Sequence, residues 1–164
     1  MATSIKRSQQ MCFLNTTPST TATYALIGDG VTELTFNYSP QTTTEQYINQ
    51  DSGTTEVTGY QPTAPISMIA KKGDTAYEFV NDLRKARAIL SEAETDIILA
   101  DAWDVAVAGN LTAIPAEKQP VSIQIDNYGG AASSPLSIGY TLNFKGDSVT
   151  GTFNATTKTF TATV

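Results

Sequence analysis

The stretch LSIGYTLNFKGDSVTGTFNATTKTFTATV, residues 136–164, decides the fold class. Its first part places an apolar side chain at every second position: Leu136, Ile138, Tyr140, Leu142 and Phe144. Alternation of this period is typical of a strand with one buried face. The pattern resumes after a turn at Gly146–Asp147 and again after residues 154–157. The apolar positions of these two runs are Val149, Gly151 and Phe153, then Phe160, Ala162 and Val164. We therefore expect a three-stranded meander that includes a hairpin over residues 143–153.

The rest of the chain extends this interpretation. Threonine, a β-branched residue suited to the solvent face of a strand, accounts for 26 of the 164 residues. Shorter apolar runs predict further strands at residues 11–14, 24–27, 34–38, 66–70, 88–90, 95–100 and 121–128. The composition and these patterns together predict a mainly β fold.

One helix is expected, over residues 75–86. Thr75 and Glu78 have the spacing of a capping box, and Asp74 is an alternative N-cap. Basic residues occupy the last turn, where the helix dipole favours cations. An apolar stripe at helical spacing completes the pattern: Tyr77, Val80 and Leu83.

Residue types that support catalysis or metal binding are scarce. The chain has no histidine and a single cysteine, Cys12, which excludes Ser-His-Asp and Cys-His catalysis and an intramolecular disulfide. Asp96, Asp101 and Asp104 match no calcium-binding loop, and carboxylate pairs of the glycosidase type occur in any acidic chain. We expect no catalytic site, no cofactor and no bound metal.

The charge is acidic and unevenly distributed. The net charge is −6, and residues 8–70 contain no lysine or arginine. Basic side chains supply most of the affinity for nucleic acid, so a specific nucleic-acid binder is not expected. No segment has the character of a signal peptide or a transmembrane helix, which predicts folding in a cytoplasm without a membrane partner.

Residues 39–61 form a long excursion rich in polar and turn-forming residues. Residues 42–48 and 54–60 have the pattern of an extended hairpin that turns at residues 51–53. A hairpin with no core beneath it is marginally stable alone, so we expect it to pack against another copy of the protein. The residues predicted for this contact are Thr44, Glu45, Tyr47, Ile48, Val57 and Tyr60.

Several short runs of turn and capping residues, taken together in order, indicate a family. In the first half they are GDGVTEL at 28–34, PQTTTE at 40–45 followed by Tyr47-Ile48, and DSGT at 51–54. In the second half they are KGD at 72–74, DLR at 82–84, AET at 93–95, Ile125-Asp126 with Gly129-Gly130, and the 143–153 hairpin ending in GTF. The ordered set covers most of the chain except residues 104–116. It resembles the major tail (tail tube) proteins of long-tailed phages of Gram-positive bacteria.

The resemblance implies a tail-tube-type β-sandwich or half-barrel with one flanking α-helix and a long projecting hairpin loop. Residues 1–164 are then a single domain, with an N-terminal arm at 1–10, an inter-ring hairpin at 39–61 and the helix at 75–86. In this family six copies form a ring, and stacked rings form a hollow tube that conducts DNA without binding it specifically. The implied partners are further copies of the chain, a tape-measure protein, and tail terminator and distal tail proteins. The implied location is the tail of a virion that is assembled in the host cytoplasm.

An acidic lumen would repel the phosphates of passing DNA. Glu33, Glu45 and Asp126 are the residues predicted to supply that charge. Two other functions stay open. One is a carbohydrate- or receptor-binding β-sandwich module of a tail or baseplate. The other is the tube subunit of a contractile or bacteriocin-like particle, which shares the fold.

Overall fold

The computed structural model describes residues 1–163, and the fold class is mainly β, as predicted. Val164, the last alternating position expected in the C-terminal strand, lies outside the described residues. The helix α1 spans Thr75–Ala86, and short 3₁₀ turns span Arg7–Gln9 and Leu90–Ala93. Strands β1 to β10 span, in order, Gln10–Asn15, Tyr24–Leu26, Pro40–Glu45, Thr54–Tyr60, Thr63–Ile69, Glu94–Asp101, Ile114–Gly129, Ser137–Phe144, Val149–Asn154 and Thr159–Ala162.

The main sheet is organised around β7, a strand of 16 residues. On one side β7 pairs antiparallel with β6, and the sheet continues through β1 to β2. On the other side the first part of β7 pairs with β9 and the last part pairs with β8. β9 then pairs with β10, and β8 pairs with β5. The sheet therefore divides into two branches where β8 and β9 separate.

The predicted meander is wrong at its first connection, the 143–153 hairpin. In the described chain β8 and β9 do not pair with each other; they lie one after the other along β7. The buried side chain of Gln119 stabilises this arrangement. Its amide donates to the carbonyl oxygens of Pro120, Lys145 and Gly146 at 2.9, 3.2 and 3.3 Å. The turn at residues 146–147 is therefore held against β7.

Two other predicted strands do not form within residues 1–163. Residues 34–38 form an irregular segment that is held to β5 by one isolated backbone bridge, between Asn37 and Thr63. Leu34 is nonetheless only 9% exposed. The apolar alternation in this segment therefore arises because apolar side chains such as that of Leu34 are buried, although the segment does not pair as a strand. Residues 88–90 leave α1 after Arg87, whose φ is 51°, and enter a 3₁₀ turn.

Apolar cores cover both faces of β1 and β6. The larger core lies between one face of β1, β6 and β7, the β5–β8 branch and α1, and it includes Leu14, Ile97 and Val80. The smaller core lies on the opposite face around Phe153. Tyr24 of β2 and Phe153 of β9 are separated by β7, β6 and β1, yet their ring centroids are 5.8 Å apart. This end of the sheet therefore curls into a half-barrel.

The helix α1 flanks the larger core. Its N-cap is Asp74, whose carboxylate accepts from the backbone nitrogens of Ala76 and Tyr77 at 2.9 and 3.3 Å. Glu78 accepts from the backbone nitrogen of Gly73 at 2.9 Å, which satisfies one further donor just before the helix. The buried residues of the helix are Ala76, Tyr77 and Val80.

Three buried polar groups differ in how they are accommodated. Desolvation raises the pKa of the Cys12 thiol to about 12, which makes it an unreactive core side chain. The Tyr24 hydroxyl donates to Asp96 Oδ1 at 2.7 Å. The Tyr140 hydroxyl has no hydrogen-bond partner within residues 1–163, although the residue is fully buried. Burial raises the pKa of both tyrosines, because the charged form would lose its hydration.

Replacement of Tyr140 by phenylalanine should leave the free energy of unfolding unchanged or raise it by up to about 1 kcal/mol, because a buried hydroxyl without a partner is removed. Tyr24→Phe is the matched control. It removes a hydrogen bond to a carboxylate and should lower the free energy of unfolding by roughly 1–2 kcal/mol. Urea denaturation of both variants beside the parent chain measures the difference. Equal destabilisation by the two variants would contradict the assignment of an unpartnered hydroxyl.

Candidate assembly surfaces

β3 and β4 form a hairpin that stands apart from the main sheet. They pair antiparallel from Pro40–Tyr60 to Glu45–Thr54, with a β-bulge between Gln41 and Thr42. Every residue from 39 to 58 is exposed. The hairpin therefore has no core of its own, and both of its faces are available to another molecule.

The register of this hairpin places the predicted contact residues on two faces. Thr44 and Val57 share one face, where the hydroxyls of Thr44 and Thr55 are 2.9 Å apart. Glu45 and Tyr47 contact each other on the opposite face, and the Tyr47 hydroxyl donates to Glu45 Oε2 at 2.7 Å. A single flat partner surface can cover only one of these two groups.

The remaining predicted contact residues lie at the tip and at the base of the hairpin. Ile48 is at the tip, where its side chain is fully exposed. Tyr60 is at the base, and its ring packs edge-on against Tyr38 with centroids 6.3 Å apart. The backbone nitrogen of Gln61 donates to the carbonyl oxygen of Tyr38 at 3.2 Å. These contacts fix the direction of the hairpin at its base and leave an apolar tip free.

The residues predicted to charge a lumen lie in two separate places. Glu33 and Asp126 line one surface depression, beside Asn37. Asp126 has no partner in the β7–β8 register, which shifts between Ile125 and Asn127, so it is the extra residue of a β-bulge. Its carboxylate accepts hydrogen bonds from two neighbouring side chains at 2.6 Å. Glu45 is on the hairpin and does not join them.

A second depression, which we call the lysine pocket, was not predicted from the sequence. It is bordered by Lys71, Lys72 and Lys158, and Leu26 of β2 lies in it with 45% of its surface exposed. Lys71 pairs with Asp29 at 2.5 Å. Lys72 and Lys158 have no carboxylate within 4.0 Å in the described chain. The lysine pair at 71–72, the first cations after a long acidic stretch, was the available sequence signal; only the fold brings Lys158 beside it.

Other side-chain clusters offer little chemistry. Nowhere in residues 1–163 do three or more cysteine or carboxylate side chains come close enough to hold a metal ion. None of the helices in the same range is long and apolar enough to cross a membrane. Two cations elsewhere on the surface have partners: Lys145 pairs with Glu94 at 2.6 Å, and Arg84 lies over the Tyr128 ring at 3.9 Å.

Comparison with known proteins identifies the fold. No protein-family model and no curated protein matches the chain. Among solved structures, a chain in the tail of an empty gene transfer agent particle, refined helically with C6 symmetry, matches with a TM-score of 0.60 and 14% identity. A chain in the virion of a native gene transfer agent particle matches with a TM-score of 0.59 and 13% identity. Both matches cover 97% of this chain and 100% of the other chain. The protein therefore shares the fold of these tail and virion chains.

The bond between Tyr47 and Glu45 has a measurable consequence. The donated hydrogen bond raises the pKa of Tyr47, since the phenolate could not donate and would face a carboxylate. Glu45→Gln should lower the Tyr47 pKa toward that of an ordinary tyrosine, as followed by NMR titration of labelled tyrosine rings with Tyr47→Phe for assignment. Glu56→Gln changes a carboxylate of the same hairpin and is the control. An unchanged Tyr47 pKa in Glu45→Gln would disprove the bond.

Proposed function

We propose that this protein is a structural subunit of the tail tube of a phage-like particle. Copies form six-membered rings, and the rings stack into a hollow conduit for genome delivery. The observation that carries the proposal is the fold match along almost the whole chain to a chain of a C6-symmetric tail. In its narrower form, which follows the motif resemblance, the particle is a long-tailed phage of Gram-positive bacteria. The role is structural and non-catalytic, and the location is the virion tail.

Unpaired strand edges support assembly into rings. Within residues 1–163, β2 and β10 are the ends of the longest strand path, and each presents one edge without a partner. An open edge is a template for pairing with another chain, and a closed ring of copies removes all such edges. We therefore propose that open strand edges make the contacts within a ring. Tape-measure, terminator and distal tail proteins are the further partners that this role requires.

The exposed hairpin supports stacking of the rings. Residues 39–61 project from the body, and their apolar side chains have no contact with a core: Tyr47, Ile48, Val57 and Tyr60 are each exposed by more than half. Exposed apolar residues at this density usually mark an interaction surface. Thr44 and Glu45 complete the proposed contact, one on each face of the hairpin.

Glu33 and Asp126 are proposed to make the lumen negative, so that DNA passes without binding, whereas Glu45, the third residue predicted for the lumen, is assigned to the hairpin contact. The shared depression of Glu33 and Asp126 supports a common orientation for these two carboxylates. A helical reconstruction of assembled tubes tests this: the two carboxylates should face the lumen. A lumen lined instead by Lys145 and Arg84 would overturn the charge argument and leave the stacking proposal intact.

Deletion of residues 44–58 tests the stacking role. The deletion leaves residues 42–43 as a tight turn between the paired Gln41 and Gly59, so the body should fold as before. We expect a subunit with the thermal unfolding midpoint of the parent chain that forms no tubes in negative-stain electron micrographs. Tubes of normal length from this variant would disprove the stacking role of the hairpin.

A further inference from the structure

The hairpin and the lysine pocket carry opposite charges. Residues 40–60, the acidic hairpin, contain Glu45, Asp51 and Glu56 and no lysine or arginine. All three carboxylates are exposed, and none of them is within 4.0 Å of a cation in residues 1–163. The lysine pocket, in a chain of net charge −6, holds two ammonium groups that are equally free of carboxylate partners, those of Lys72 and Lys158.

The two surfaces also match in the position of their apolar residues. At the tip of the acidic hairpin, fully exposed Ile48 lies in the chain between Glu45 and Asp51. In the lysine pocket, partly exposed Leu26 is bordered by lysines. An apolar centre with a charged rim of opposite sign is the usual arrangement of a specific protein contact. The depression, about 460 Å³ in volume, is large enough to take an isoleucine side chain.

The carboxylates already at the pocket do not cancel its charge. Asp29 is engaged by Lys71, and Asp74 is engaged as the N-cap of α1. Three lysines against these two carboxylates leave a net positive surface. The partner that best neutralises the pocket is therefore a segment that carries carboxylates.

We propose that the acidic hairpin of one copy docks in the lysine pocket of a copy in the next ring, with Ile48 against Leu26. This inference rests on the proposed tube function and names the surface that receives the stacking arm. Both halves of the contact belong to the same chain, so each copy donates one hairpin and accepts another. A contact of this kind is heterologous, and repetition of it along an axis extends an assembly without limit.

Charge reversal on each side and then on both sides tests the docking. Lys72→Glu with Lys158→Glu, and separately Glu45→Lys with Asp51→Lys, should each raise the concentration needed for tube formation by at least about tenfold. The variant that carries all four changes should regain tube formation, because the charge pairs are restored with inverted sign. Sedimentation and negative-stain microscopy measure the tubes. Raising the salt should weaken parent tubes and four-change tubes alike.

Matched controls change the same charge elsewhere. Lys85→Glu with Arg87→Glu reverses two exposed cations outside the pocket, and Asp104→Lys with Asp147→Lys reverses two exposed carboxylates outside the hairpin. Both controls should form tubes at the parent concentration. Normal tubes from the pocket variant, or no recovery in the four-change variant, would overturn the docking proposal alone. Absence of rings and tubes from the parent chain would instead overturn the proposed function.

Discussion

The fold depends on how β7 satisfies its backbone hydrogen bonds along both edges. The strand contains Pro115 and Pro120, which have no N–H group to donate. Near Pro120 the neighbours on one side, β8 and β9, diverge, and their connection would leave carbonyl oxygens unpaired. The Gln119 side-chain amide donates to the carbonyl oxygens of Lys145 and Gly146 in this connection. The backbone nitrogen of Lys145 donates to the carbonyl oxygen of Pro120 at 2.9 Å. One buried amide thus holds together the point at which the sheet divides.

Division of the sheet lets its two branches cover opposite apolar faces, and it determines where the candidate assembly surfaces lie. One branch, β9–β10, curls over the core around Phe153, while the other, β8–β5, closes over the core that α1 flanks. The hairpin is attached beside β5, where residues 37 and 63 are bridged. Since its strands pair only with each other within residues 1–163, its loss or distortion should cost the body little. The proposed stacking contact and the stability of the body therefore lie in different parts of the chain.

Local sequence patterns predicted most of the strands and the helix, but they did not predict which strands pair with each other. The alternation in β8, β9 and β10 is a local signal that tertiary contacts left unchanged. At the start of α1 the alternative predicted cap, Asp74, forms in place of the capping box of Thr75 and Glu78. β7 was recognised only from Val121, because its first part carries two prolines and little alternation. The hairpin between β8 and β9 was wrong since a turn shows where a chain reverses and not which strand it pairs with. Leu34 was misassigned because burial over a core imitates the period of a strand.

Of the two candidate surfaces, one could be predicted from the sequence and the other could not. The hairpin was visible in the sequence because a long stretch without core residues is itself a signal. The lysine pocket was not, since Lys158 reaches Lys72 only through the curl that brings β10 and its preceding turn close to β2 and the start of α1. The absence of core residues indicated one side of the proposed contact, and only the fold located the other.

Because each copy carries one acidic hairpin and one lysine pocket, a stack built from this contact has a direction. At one end of the stack the acidic hairpins are unoccupied, and at the other end the lysine pockets are unoccupied. Growth of such a stack at its two ends is then chemically distinguishable, and a protein that caps one end must match a different surface from one that caps the other. The polarity of a conduit that must release its contents one way would be set by the asymmetry of a single subunit.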